Sequence, residues 1–174
     1  MLKNKYSIQY LIIPLLLVGL TTRADLFLSN LSGITHNFKH YLLLVLVNTY
    51  LIIVYYPTIK KVTNYKYARL SAFAIFIVTV LPYYEHASII STLHVIFGYI
   101  GFTIFSIVIY QVIVSYSHYS FDKSQLYLKL YQVIMMFVLI LYLKYMAING
   151  IMELIYLIGM NTILWFIDMD INKC

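Results

Sequence analysis

The chain has 174 residues, of which 63% are hydrophobic and only 10% charged, with a net charge of +6. A soluble domain runs near 45–50% apolar and about 25% charged, so a soluble globular enzyme is excluded, and so is a disordered tail. The positive charge raises nucleic acid as a partner, but the basic residues flank apolar runs in the manner of a membrane protein, so lipid headgroups are the expected anionic neighbours and no nucleic acid is expected.

Crossing the hydrocarbon core takes roughly 20 apolar residues in a helix. Six candidate spans follow in chain order, at residues 7–22, 41–57, 69–83, 88–114, 126–145 and 148–167. Pro14 lies inside the first and predicts a kink. Lys3 and Lys5 ahead of this short apolar core resemble a secretory leader, yet Pro14 in the core and Arg23 beside the possible cut speak against cleavage. Pro57 and Pro82 are expected to close the second and third helices, where a missing N–H costs little. The third span is short and the fourth long enough to tilt. No loop is long enough to fold alone, so residues 1–174 read as a single transmembrane helical domain. With one cysteine, Cys174, no disulfide within the chain is expected.

The charges orient the spans. Lys3, Lys5, Lys60, Lys61, Lys66, Arg69, Lys123, Lys129 and Lys173 fall on one side, and Arg23, Lys39 and Lys144 on the other. Basic residues stay cytoplasmic, which predicts an all-α, polytopic bundle of six helices with both termini in the cytoplasm. Tyr6, Tyr41, Tyr55, Tyr56, Tyr83, Tyr84, Tyr116, Tyr127 and Tyr145 lie near the predicted interfaces, where amphipathic rings are favoured. Residue types with AT-rich codons (Ile, Lys, Asn, Tyr) point to a bacterium and its cell membrane.

On the outer side the polar residues gather: His36, His40, Glu85, His86, Ser91, His94, Asn149 and Glu153. His94 is about 9 Å into the fourth span and Glu153 about 7–8 Å into the sixth, at matching depth. Charged groups there are costly, so the two are expected to meet, as packing glue or as part of an outer-leaflet polar cavity. Ser91, His94, Gly98 and Gly101 form one stripe, and Asn149, Glu153, Tyr156 and Met160 another; both are expected to face the interior. His36 and His40 have the i, i+4 spacing that puts two imidazoles on one helix face. A metal there would need a third ligand such as Asp25, Glu85 or His86, and the metalloprotease form is absent because Asn37 follows His36. Lys129, Gln132 and Asn48 read as interhelical bonding, and Asp168 and Asp170 as a solvated tail. No motif requires a cofactor, since phosphate-binding glycine loops, a serine nucleophile motif and paired catalytic carboxylates are missing.

Residues 25–33 (DLFLSNLSG), Pro82 followed by Ser91-Thr-Leu-His94, and Asn149-Gly-Ile-Met-Glu153 with Trp165 beyond it resemble segments of certain small bacterial membrane proteins. These belong to a six-span family of unknown function, so the resemblance implies the architecture and no activity. Three functions fit the residues: binding or transport of a lipid or small polar ligand through the outer-leaflet cavity, a membrane-embedded lipid hydrolase or transferase, and an accessory subunit that serves a membrane protein partner.

Overall fold

The computed structural model describes residues 7–21, 38–80, 89–146 and 148–173, and in these it is all-helical. The six helices are α1 (Ser7–Thr21), α2 (Phe38–Val62), α3 (Tyr65–Val80), α4 (Ile89–Tyr116), α5 (Phe121–Tyr145) and α6 (Gly150–Lys173). Four of them, α2, α4, α5 and α6, are long and apolar enough to cross a membrane. The other two are shorter, with 15 residues in α1 and 16 in α3.

Local chemistry sets the boundaries. The Asn64 side chain accepts the backbone N–H of Lys66 at 2.9 Å and of Tyr67 at 3.3 Å, satisfying orphan donors at the start of α3. This cap starts α3 at Tyr65, four residues before the expected Arg69. The Ser120 backbone takes the N-cap place of α5, and α5 ends on Met146, which adopts the left-handed φ of 52° and sends its N–H to the Tyr142 carbonyl. Asn149 caps α6, its Oδ1 accepting the Met152 N–H at 3.0 Å.

Pro57 does not close α2, contrary to expectation: the helix runs on to Val62. A proline removes one hydrogen bond, and neighbouring helices supply compensating partners in a packed membrane bundle. Pro82 lies outside the described residues. Pro14 falls within α1, as read from the sequence.

Each helix packs on its neighbours in sequence, and α1 against α6 closes the ring. The helices α2, α4 and α6 also touch one another across the middle. At their junction Tyr55, Ile59, Ile109, Ile113, Met160, Ile163 and Leu164 are fully buried. Small residues permit close approach where no hydrophobic drive separates protein from lipid. The inward face of α3 is Ala68, Ser71, Ala74, Ile75 and Thr79. A Cβ on Gly101 would come within 2.6 Å of the Ala74 carbonyl, and one on Gly159 within 2.6 Å of the Ile134 side chain. At Gly101 the obstacle is backbone, so that position requires glycine for the present helix separation, whereas at Gly159 the Ile134 side chain would have to shift.

Alternating helices give the bundle two unlike halves. Tyr10 of α1 bonds Thr58 of α2, Lys61 of α2 bonds Asn172 of α6, and Lys123 of α5 pairs with Asp170 of α6. One end therefore joins the first turns of α1 and α5 to the last turns of α2 and α6. Lys60 and Arg69 share it, both lying over the Tyr65 ring, at 4.1 and 5.8 Å from its centroid. Lys60 beside it holds the exposed Tyr65 phenol below the ordinary tyrosine range.

Candidate functional site

The half opposite this basic end contains a cavity of about 350 Å³ bounded by α2, α3, α4, α5 and α6. Its space traces to particular residues. Gly98 of α4 lines it, and a Cβ there would meet nothing within 4 Å. From α5 come Met135, Val138 and Tyr142, and from α6 Met152, Glu153 and Tyr156. Leu44 and Asn48 of α2 close another side with Ile75 and Val78 of α3. Among the described residues Glu153 is the one charged side chain on this wall.

The polar groups of the wall are largely engaged in holding helices together. Asn48 donates to Thr79 Oγ1 at 2.9 Å, tying α2 to α3. The Tyr156 hydroxyl lies 2.8 Å from Ser106 Oγ and 3.2 Å from the Phe102 carbonyl, tying α6 to α4. Aromatic rings supply much of the remaining surface. Phe102 and Tyr156 have centroids 4.1 Å apart, and Tyr99 meets Tyr142 edge-on at 6.4 Å. Such a wall, apolar and aromatic with a few placed polar groups, has the make-up of a small-molecule site, and its volume is at the lower end of the usual range of about 300–1,000 Å³.

The expected site residues divide as follows. Glu153 is on the wall, and its backbone N–H bonds the Asn149 carbonyl at 3.1 Å across the first turn of α6. Asn149 is buried as the helix cap, with its Nδ2 meeting no hydrogen-bond partner among the described residues. His94 and Ser91 are buried one and two turns ahead of Gly98 on α4, in the same half of the bundle. Both expected stripes turn inward: Gly101, Tyr156 and Met160 are buried with them. The cavity itself is mainly apolar, unlike the polar one expected, because Asn48 and Tyr156 spend their polar atoms on neighbouring helices. Glu85, His86 and His36 lie outside the described residues, as does the side chain of His40. Among the described residues no three His, Cys, Asp or Glu gather to hold a metal.

Two readings from sequence are corrected at the basic end. Asp168 and Asp170 are not a solvated tail. Asp168 is 7% exposed and its Oδ1 accepts the Thr58 hydroxyl at 2.9 Å. Asp170 pairs with Lys123 at 2.7 Å and accepts the hydroxyls of Tyr127 at 2.6 Å and Tyr116 at 3.3 Å. The tyrosines were expected at interfaces as anchors, but Tyr55, Tyr116 and Tyr127 are buried. Tyr55 stacks between Tyr10 and Phe105 and donates to Asn161 Oδ1 at 3.3 Å. Their signal in the sequence was faint: two residues apart in an unbroken helix, the carboxyls point to different neighbours, Asp168 to α2 and Asp170 to α5.

Comparison with protein-family models, with curated proteins and with solved structures returns no match.

Proposed function

We propose that this protein binds a membrane amphiphile, with an apolar chain in the cavity and its polar head toward Glu153. The observation that carries this reading is the cavity wall, apolar and aromatic around a single carboxyl side chain. An amphiphile suits it better than a small polar solute, because Asn48 and Tyr156 are already bonded to Thr79 and Ser106. Asn149, Ser91 and His94 lie in the same half and are assigned to the approach of the polar head.

In this reading the chain is a multi-pass protein of a bacterial cell membrane that crosses it six times, with both termini cytoplasmic and the cavity in the outer leaflet. The support is the gathering of Lys60, Lys61, Lys66, Arg69 and Lys123 at the end away from the cavity, on the rule that basic residues stay inside. The motif resemblance to six-span bacterial proteins agrees with it. Membrane lipids are then both solvent and ligand.

A photoreactive diazirine lipid in vesicles tests the binding site. Labels on Met152 and Tyr156, which face inward, are expected after illumination. Labels confined to the outward-facing Phe137, Ile140 and Leu143 of α5 would contradict it.

A further inference from the structure

Glu153 on the cavity wall and Asn149, the cap of the same helix, stand one turn apart. The Glu153 N–H bonds the Asn149 carbonyl at 3.1 Å, so the two are in helical register at the start of α6. Side chains at this spacing are neighbours, with Cβ atoms about 5–6 Å apart. Asn149 is 4% exposed. Its Oδ1 accepts the Met152 N–H at 3.0 Å, while its Nδ2 is buried with no hydrogen-bond partner among the described residues. A buried donor left without an acceptor is costly. Ile148, Met152 and Glu153 on either side of it in sequence all line the cavity.

The two side chains ask for opposite things of a ligand. Asn149 Nδ2 needs an acceptor. Glu153 takes donors, and an ionised carboxyl accepts at about four positions, so contacts within the chain leave room for a ligand's ammonium. Among the described residues no basic side chain lines the cavity. Tyr99 and Tyr142, meeting edge-on with centroids 6.4 Å apart, are on the same wall, and Tyr142 belongs to the last turn of α5, next to the start of α6 in sequence. Aromatic rings attract ammonium groups. An anionic head without an amine would set like charge against Glu153, and an uncharged head would bring no counter-charge.

We propose that the head held here is that of a zwitterionic aminophospholipid. Its ammonium donates to the Glu153 carboxylate, and a phosphate oxygen accepts from Asn149 Nδ2. In an ethanolamine head two methylenes separate the ammonium from the phosphate ester, a span that suits two side chains one helical turn apart. The inference rests on the amphiphile reading of the cavity and adds the class of the head.

Native mass spectrometry of the full chain in detergent, loaded with equimolar dimyristoyl phosphatidylethanolamine, phosphatidylglycerol and diacylglycerol, compares heads at constant acyl chains. The ethanolamine adduct is expected to exceed the glycerol one about tenfold, as for one hydrogen bond to a charged group. In Glu153→Gln that preference is expected to vanish. Asn149→Ser keeps an oxygen for the cap and removes the amide, so both phospholipids are expected to fall relative to diacylglycerol. Equal ethanolamine and glycerol adducts on the unmodified chain, or a preference that survives in Glu153→Gln, overturn the head assignment and leave the amphiphile reading standing. No adduct from any of the three lipids overturns both. Should Glu153→Gln fail to fold, Asn149→Ser decides, and an unchanged ratio of phospholipid to diacylglycerol overturns the proposal.

Discussion

Thr58 of α2 donates its hydroxyl to Asp168 of α6 at 2.9 Å across 110 positions of sequence. The same hydroxyl lies 2.8 Å from the Tyr10 phenol, so three helices meet at one threonine. Replacing Thr58 by Val keeps the shape and removes both bonds. The expected loss is about 1–3 kcal/mol, since a buried carboxyl is left with no donor. That exceeds the roughly 0.6 kcal/mol of an average hydrogen bond between membrane helices. Denaturant unfolding in mixed micelles measures it, and a loss no larger than that average would contradict the shared role of Thr58.

Gly101 and Gly98 share a face of α4 and should respond differently to substitution. A methyl at Gly101 meets the Ala74 carbonyl at 2.6 Å and Val78 at 2.5 Å, and the backbone atom cannot rotate away. Gly101→Ala is expected to cost about 1–3 kcal/mol, the usual range for overpacking. At Gly98 the space is open, and Gly98→Ala is expected to leave stability unchanged or raise it slightly. Thermal unfolding of the two single variants side by side gives the comparison.

The ion pair at Asp170 should be worth less than its tyrosines. Lys123 is half exposed, so Lys123→Met is expected to cost about 0–1 kcal/mol after solvent screening. Asp170→Ala also strands the Tyr127 hydroxyl, bonded at 2.6 Å, and is expected to cost more, about 1–3 kcal/mol. Equal losses from the two variants, read as unfolding free energies, would show that the lysine carries the cluster.

Met146 holds the left-handed conformation that ends α5. A side chain there costs roughly 1–2 kcal/mol that glycine does not incur. Met146 is 75% exposed, so little packing is lost with it. Met146→Gly is therefore expected to stabilise the chain, seen as a higher unfolding midpoint.

Much of the fold was legible because spans announce themselves by length and hydropathy. The helix positions agree with the expected segments to within a few residues at most ends, and the stripes through His94 and Glu153 do turn inward. The failures share a physical cause. Pro57 was read by its local rule, but a packed bundle tolerates a broken hydrogen bond inside a helix. Asp168 and Asp170 were read by their nearness to the chain's end, yet α6 continues through both and turns them onto Thr58 and Lys123. Glu153 does line a cavity, but the apolar character of that cavity depends on where Asn48 and Tyr156 spend their hydrogen bonds. That depends on helix order, which one sequence does not carry.

Native mass spectrometry of the protein released gently from detergent, as the unmodified chain and as Gly98→Leu, tests amphiphile binding most directly. Leucine at Gly98 projects into the open space of the cavity. The unmodified chain is expected to retain a lipid-sized mass that Gly98→Leu lacks while unfolding at the same temperature. An equal adduct on both, or none on the unmodified chain, would contradict an amphiphile held in this cavity.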